Sequence, residues 1–405
     1  MTAGAVGPLD GVNVLDASTG VAGPFCGKLL ASLGATVIKV ESPGCGDSTR
    51  GLPPFLPSTD PNDRSALFHH LNTGKLGLTL DLEMDAGQAI FRRLVSSWAT
   101  VVITGDPYLR ALELGLDWES LHALKETLLV TALSDFGMDG PLRDYAGSEL
   151  VALALGGYLH LTGDPDREPL KPYGYQAQYH AGLHAATGTV AALLRVELTG
   201  MGEFVDTSTV EAAAFLCSAA PGWHYFTGEE PNRVGNRLAN LDPKQFYPST
   251  MRPCRDGWVH AHGNIRDPEL LEVLMGEPEL GREDIRREPK GHADEIDAIM
   301  DRWLADRDRA EAVELAQTLR VPFTEVFSPD EVLLDPHLVA RGALAEVDHP
   351  SIGVVRFPHA SIRFSATPWI TKRAPRLGEH TIGILDDCLG IAGDEVATLH
   401  HAGVV

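Results

Sequence analysis

Residues 11 to 41 constrain the chain more than any other stretch. Gly11-Val12-Asn13-Val14-Leu15-Asp16 is a short apolar run ending in small residues, and Pro24 then opens a helix-period stretch that runs from Phe25 to Ala35. Gly34 stands where a helix stop belongs. Thr36-Val37-Ile38-Lys39-Val40-Glu41 follows as a second β-branched run. The pattern predicts one strand–helix–strand unit with a right-handed crossover, which is the opening of a parallel α/β sheet. Alternation continues with a helix over 86–98, strands over 100–103 and 128–134, and a helix over 118–125 between those two strands. Beyond Gly147 the pattern turns helix-rich, over 147–156, 177–196 and 210–218, with a short strand Phe204-Val205-Asp206.

Near 220, Pro221, Gly222, Gly228, Pro231 and Gly235 fall in quick succession and predict a domain boundary. Gly257 to Ala261 reads as a strand after an Asp-Gly turn, and 267–320 as two or three charged amphipathic helices with solvated faces. After Pro322 the chain reads as extended, with Pro336, Pro350, Pro358 and Pro368 spacing short strands before a last helix near 394–400. The expected organisation is a large domain over 1–222, a small domain over 223–325, and a linker over 326–405 that returns to the large domain.

Composition excludes several classes of function. The 33 basic and 56 acidic residues leave a net charge of −23, a field that repels nucleic acid and anionic lipid. Apolar runs such as Val151 to Leu155 fall far short of the roughly twenty residues of a membrane span. The opening residues lack both a basic and an apolar segment, so a cytoplasmic chain without a secretory signal is expected. Five cysteines without CxxC spacing predict reduced thiols, mostly in cores, with neither a disulfide framework nor a cysteine zinc site.

Individual motifs read blandly. In the Gly44 to Gly51 loop the third glycine is misplaced for GxGxxG, and no Lys-Ser/Thr pair follows for a P-loop. His180 and His184 have the spacing of two metal ligands, but no glutamate lies between them and no third ligand is evident, so they read as packing histidines. No GxSxG elbow is present. The pairs His69-His70 and His400-His401 read as surface features.

Several segments in order match something more specific: the run from Pro8 to Arg50, Asn72-Thr73-Gly74-Lys75 with Leu80-Asp81-Leu82, and the Ser134-Asp135-Phe136-Gly137 turn. They continue with Leu161 to Asp166, Thr199-Gly200-Met201-Gly202 ahead of Val205-Asp206, and Arg373-Ala374-Pro375 with Leu377-Gly378-Glu379-His380. Together they resemble the family III CoA-transferases, the CaiB/BaiF group, over essentially the whole chain. The resemblance implies a Rossmann-like large domain built from both chain ends, a smaller α+β domain, and two subunits interlocked like links. It also implies a CoA thioester as substrate or ligand, with no metal and no covalently bound cofactor. Each active site would lie between the large domain of one subunit and the small domain of the other, which makes dimerisation obligatory.

The chain departs from that pattern where the chemistry is. In the family a buried aspartate near the start of a long helix attacks the acyl-CoA carbonyl and forms a mixed anhydride as CoA thiolate leaves. Aligning Gly182, His184 and Gly188 on the family pattern puts Gln178 in that position, and residues 171–193 contain no Asp or Glu at all. A glutamine amide hydrogen-bonds a carbonyl but cannot form an anhydride. The Gly-His-Asp turn of the family's racemases reads Gly147-Ser148-Glu149 here, so neither racemase base is present. Ser42 replaces an arginine that meets the CoA adenine end, and Thr104-Gly105-Asp106 replaces a CoA-contacting Glu-Asn-Phe; an aspartate there would repel a polyphosphate. Asn232 to Asn236 lacks the glycine-rich loop that covers the site in some members.

What still matches is Glu149, at the position of a glutamate that assists some family transferases, and the Leu80, Asp81, Leu82, Glu83 backbone segment, with Gly147 and Ser148 as further CoA-contact candidates. The leading expectation is a subunit of a hetero-oligomeric family III CoA-transferase. It would move CoA between an acyl-CoA such as succinyl-CoA and a carboxylic acid such as benzylsuccinate, and its paralogous partner would supply the aspartate. The alternatives are a non-catalytic homodimeric CoA-thioester binding protein and an autonomous acyl-CoA enzyme using Glu149.

Overall fold

Six short strands carry the first unit of the chain, and all of them run parallel. They are Asn13–Asp16 (β1), Thr36–Glu41 (β2), Leu76–Thr79 (β3), Val101–Thr104 (β4), Leu129–Ser134 (β5) and Glu203–Ser208 (β6), in the order β3-β2-β1-β4-β5-β6. This is the doubly wound Rossmann order, with the reversal between β1 and β4. The computed structural model describes residues 7–58, 60–237, 247–263, 269–359 and 361–405. The predicted opening is present, with Ala22–Ser32 (α1) as its crossover helix. β1, β2, β4 and β5 are largely buried and read as near-continuous apolar runs, which is why they were legible, while the edge strand β6 is only partly buried. β3 was not anticipated, because Leu76-Gly77-Leu78-Thr79 holds only two large apolar residues.

The remaining helices of this unit are Ala66–Leu71 (α2), Asp85–Ser97 (α3), Tyr108–Leu114 (α4), Trp118–His122 (α5) and Glu149–Leu155 (α6). Tyr158–Leu161 (α7) belongs to the second unit, whereas Gln176–Thr199 (α8), Thr209–Leu216 (α9) and, from the C-terminal segment, Pro336–Ala340, Thr381–Leu389 and Gly393–His401 belong to the first. Alternate residues of β5 serve two cores. Leu129 and Leu133 face Ala185 and Ala186 of α8, whereas Val130 and Ala132 face a second cluster with Leu94 of α3, Ile384 and Val396. That second cluster draws on the chain's C-terminal end. The Asp81 N–H donates to the Val404 carbonyl at 2.8 Å, and the Thr79 N–H to Thr381 Oγ1 at 3.0 Å.

By contacts the chain forms two compact units, one of residues 1–157, 172–217 and 336–405, the other of 158–171 and 218–335. In the second, Ser249–Cys254 (β7), Gly257–His262 (β8) and Thr324–Glu325 (β9) form an antiparallel sheet. It packs with amphipathic helices such as Ala293–Leu304 on a core around Val259, Met300 and Phe323. The Pro/Gly cluster near 220 was expected to mark a domain boundary; the division by contacts falls between Cys217 and Ser218, and Ala219–Thr227 (α10) takes in Pro221 and Gly222. Pro221 sits in the first turn, where its missing N–H would have had no partner in any case.

The strongest anchor of the first unit is a buried charge cluster at the C-terminal ends of β1 and β2. Asp16 Oδ2 accepts from Lys75 Nζ at 2.7 Å, and the same ammonium reaches the Pro24 carbonyl and Asn72 Oδ1 at 2.8 Å each. Lys39 is paired with Asp47 at 2.9 Å and donates to the Ser18 carbonyl. Asp16, Lys39, Asp47 and Lys75 are all buried. Burial alone would push Asp16 up, but Lys39 and Lys75 more than offset it and hold the carboxyl below its ordinary range. For Lys39, burial works against the charge, and Asp16 and Asp47 carry it above the usual lysine range.

Two readings are corrected by burial. His69 is buried, with Nε2 2.8 Å from the Asp63 carbonyl and its ring against His349 at 4.5 Å; His70 packs against Phe25, Tyr179 and Phe357. Both fall on α2, which is wedged under the returning C-terminal segment. His400 and His401 are exposed, as expected. All five cysteines are free, but two of them, Cys26 and Cys217, are buried rather than most.

Lys39→Met should destabilise the first unit by about 3–5 kcal/mol, because it leaves Asp16 and Asp47 buried with less compensation; urea unfolding measures this.

Candidate functional site

The head of α8 is built by two neighbouring loops at the C-terminal edge of the sheet. After β5 the chain makes the Ser134 to Gly137 turn and returns to α6 through Gly147. A Cβ there would lie 2.4 Å from the Asp135 carboxylate, so only glycine lets the strand pass so close. Ser148 caps α6 by accepting the Val151 N–H at 3.4 Å. Glu149, first in the helix and buried, points its carboxylate at the start of α8. Its Oε1 accepts the Ala177 N–H at 2.9 Å and its Oε2 the Gln178 N–H at 3.2 Å.

Helix α8 needs this help. Its N-cap Tyr175 makes no side-chain cap and its first turn carries no acid. The unmatched N–H groups and the positive end of the helix dipole would otherwise be bare. Glu149 supplies both partner and charge from another element. Gln178 stands half-buried beside it.

Packing fixes where this head lies. The face of α8 toward the sheet is small, with Ala177, Ala181, Ala185 and Ala192 buried. At Gly182 a Cβ would fall 2.5 Å from the Ala22 carbonyl, so α1 and α8 meet there backbone to backbone. Next to Gln178, the Tyr179 ring meets Phe25 edge-on at 4.9 Å. Lys28 Nζ donates to His70 Nδ1 at 3.2 Å in the same cluster. Burial, helped by the charge of Lys75, pulls the Lys28 amine down to about 7; burial and Lys28 pull His70 down to about 3. The sequence reading missed Lys28, although a lone lysine on the apolar face of Phe25 to Leu33 was a visible signal. His180 and His184 stay packing groups, His184 against Phe215 at 5.2 Å, and among the described residues no three ligating side chains converge as a metal site would need.

The candidates therefore divide. Gln178, Glu149, Ser148 and Gly147 come together. Leu80, Asp81, Leu82 and Glu83 follow β3, four strand spacings from β5, roughly 19 Å along the same edge. Leu80 is buried, while exposed Glu83 pairs with Arg110. A cavity of about 510 Å³ opens near the ends of β2 and β3, lined by Gly44, Thr79, Gly378, Val396, His400 and His401 among others, with no lysine or arginine in its lining.

Cations at this edge are spent internally. Arg50 grips Glu41 through Nε at 2.6 Å and Nη2 at 2.9 Å, reaches Asp63 at 3.3 Å and stacks 3.6 Å over Phe68. The loop from Gly44 to Gly51 is wound around that guanidinium. Its N–H groups at Asp47 and Thr49 go to the carboxylates of Glu41 and Asp47 rather than outward to a phosphate. Asp106 is half-buried near Lys39, and burial raises its pKa against that opposing charge. Ser42 is exposed.

Among the described residues no helix is long and apolar enough to cross a membrane. In the second unit the Asn232 to Asn236 segment is tied down, with the Gly235 N–H donating to the Gly163 carbonyl at 2.9 Å and Arg233 Nε to the Asp164 carbonyl at 3.2 Å.

Comparison with known proteins agrees with this architecture along the chain. The family profile of CoA-transferase family III matches residues 9–381. The chain is 34% identical to the succinyl-CoA–D-citramalate CoA-transferase of Chloroflexus aurantiacus, over 98% of each chain. It is 31% identical to subunit BbsE of the succinyl-CoA:(R)-benzylsuccinate CoA-transferase of Thauera aromatica, over 96% of each. Among solved structures, a CaiB/BaiF family protein from Brucella suis superposes with a TM-score of 0.83 at 30% identity, covering 95% of this chain and all of the other. With the six-stranded Rossmann order and the family profile both present, the chain belongs to CoA-transferase family III.

Proposed function

We propose that this chain is the nucleophile-lacking subunit of a hetero-oligomeric family III CoA-transferase. It works with a paralogous subunit that carries the aspartate and moves CoA between an acyl-CoA of the succinyl-CoA class and a carboxylic acid. The observation that carries the reading is the head of α8. Gln178 occupies the position of the attacking carboxylate, and Glu149, the acid closest at hand, has both oxygens engaged by the N–H groups of residues 177 and 178. A carboxylate whose two oxygens both accept backbone hydrogen bonds has its lone pairs engaged and is a weaker nucleophile. This disfavours the autonomous enzyme in which Glu149 attacks.

A partner is favoured by the outer face of α8. Leu183, Val190, Leu194 and Leu198 form one helical stripe, and Leu198 is 77% exposed. With exposed Leu150 and Leu155 of α6 and Phe215 of α9 nearby, this is more apolar surface than a lone soluble subunit ordinarily leaves in water. The relative whose name marks it as a subunit of a CoA-transferase points the same way. A cationless cavity beside Gly44 and Thr79 is a poor seat for a polyphosphate, so the filled CoA site is assigned to the partner. The reading places the complex in the cytoplasm.

Expressed alone, the chain should show no transfer between succinyl-CoA and a carboxylic acid; co-expression with a paralogue bearing the aspartate should restore it. Turnover by the isolated chain, or a covalent acyl adduct on it, would overturn the proposal. Gln178→Asp and Gln178→Ala should both leave the isolated chain at background; CoA exchange gained by Gln178→Asp alone would show that this subunit keeps a CoA pocket of its own and would overturn the assignment of the filled site to the partner. Glu149→Gln should destabilise the first unit by about 1–2 kcal/mol in urea unfolding, the size of a lost helix cap and its charge. It should leave the background activity of the isolated chain unchanged, an outcome the Glu149 nucleophile reading does not permit.

A further inference from the structure

The first unit holds another cavity, of about 460 Å³, that takes no part in the reading above. It opens where β2 and β3 begin, lined by Gly34, Thr36 and Leu76 and, from the returning C-terminal segment, by Ile370, Lys372 and His380. Its walls are tied together: the Ile370 N–H donates to the Ser32 carbonyl at 2.8 Å and the Gly74 N–H to the Arg373 carbonyl at 3.2 Å. The head of α8 is built at the opposite, C-terminal edge of the sheet, and a strand of six residues such as β2 rises roughly 20 Å. Open α/β sheets bind their ligands at that C-terminal edge, so this cavity is not the crevice the fold ordinarily offers.

His380 is oriented by the free edge of β3. Its Nδ1 accepts the Gly77 N–H at 3.0 Å, so the neutral ring carries its proton on Nε2. Burial, against the pull of Glu379, holds its pKa below the ordinary histidine value and keeps the ring a neutral donor at pH 7. The Nε2–H has no partner among the described residues, and the ring is only half-buried, so this donor stays open to a ligand. Lys372 is exposed and makes no ion pair or hydrogen bond among the described residues. The other cations of the lining are committed, Lys75 to Asp16 at 2.7 Å and Arg373 to Glu379, also at 2.7 Å. Asp10 is the one acid in the lining, and it is exposed. Val37, Leu76 and Ile370 supply an apolar wall. An apolar lining with a few convergent polar groups, at this volume, is what a small-molecule site looks like.

We infer that this cavity binds a small organic carboxylate, whose oxygens meet Lys372 Nζ and the His380 Nε2–H while its hydrocarbon body lies on Val37, Leu76 and Ile370. Inorganic phosphate or sulfate matches only half of the lining, because a strongly hydrated anion would have to shed water against the apolar wall. Asp10, in contact with solvent, adds only a screened repulsion. The site stands apart from the head of α8, so it holds an acid that is not in position for exchange there.

The test titrates the full chain with sodium benzoate, followed by calorimetry and by saturation-transfer NMR of the benzoate ring protons, with benzamide and sodium sulfate at equal ionic strength as controls. Saturable binding at one site is expected for benzoate, with both controls roughly tenfold or more weaker, the size of a charge-assisted hydrogen bond. Lys372→Gln removes an exposed, unpaired charge, so it should fold and weaken benzoate by the same factor. Ile370→Trp fills the cavity and should abolish binding, Asp10→Asn should bind at least as tightly as the wild type, and Gln178→Ala should leave binding unchanged. The proposal is overturned if the benzoate response does not saturate, if benzamide or sulfate binds as tightly, or if Lys372→Gln and Ile370→Trp both bind as the wild type does. It is overturned as well if Gln178→Ala removes the binding, which would move the acid to the head of α8 and leave the proposed function untouched.

Discussion

The Asp16 carboxylate holds the first unit together at the point where its topology turns. It ends β1, next to the reversal between β1 and β4, and binds the ammonium of Lys75, which in turn reaches the Pro24 carbonyl of α1 and Asn72 after α2. Through Lys39 the same cluster reaches β2 and the Asp47 loop. Isolated charges so deep would be costly, and each is tolerated because its counter-charge is equally fixed. The cost is that this crevice, the usual ligand-binding place of an open α/β sheet, has its cations already committed. Whatever anionic ligand comes to this edge finds Lys39 and Arg50 neutralised and Asp106 facing it.

Against that background the head of α8 is an internally completed site. Six residues separate Glu149 from the end of its own helix, yet its carboxylate works on a different helix, where it satisfies two backbone donors and the dipole at once. The aromatic and amine cluster of Phe25, His70, Tyr179 and Lys28 holds the same region from the α1 side. Because the folded pKa of Lys28 lies below its ordinary value of 10.5, the unfolded chain binds a proton there that the folded chain does not, and stability from this residue grows as pH rises from about 7 toward that value. The site region thus tolerates a buried amine that stabilises nothing at neutral pH, a pattern of locally unfavourable chemistry found where a fold is kept for something other than stability.

Much of this was readable beforehand because parallel strands are hydrophobic on both faces. Thr36–Glu41 came out with the observed bounds, and Leu129–Ser134 and Gln176–Thr199 within a few residues of them. The failures have physical causes. β3 is short and carries Gly77, and besides its pairing with β2 its free edge is completed by hydrogen bonds to His380 and Thr381, some three hundred residues later. The α10 helix was not anticipated beside the expected domain boundary, because Pro221 and Gly222 read as breakers, yet both lie in the first turn, where a proline costs a helix little. His69 and His70 look like surface residues in sequence because the segment that buries them, around His349 and Phe357, is equally distant. At the site, the absence of an acid in residues 171–193 was plain, but the cap that Glu149 supplies was not, since it depends on two loops meeting in space.

That cap bears on why the residue at 178 is glutamine rather than simply anything. An aspartate there would place a second carboxylate within a turn of Glu149, which already accepts the N–H of residue 178 itself. Two carboxylates so close cannot both remain ionised without one being driven well above its ordinary pKa. A transferase can use such tension to tune its nucleophile. In the proposed non-catalytic subunit that tension would serve nothing, and glutamine avoids it while keeping a polar, hydrogen-bonding side chain at a half-buried position. Glu149 then serves as the cap of α8. On the proposed reading, in which 178 is the family's nucleophile position, glutamine at 178 and the Glu149 cap would be one adjustment that leaves a quieter helix terminus.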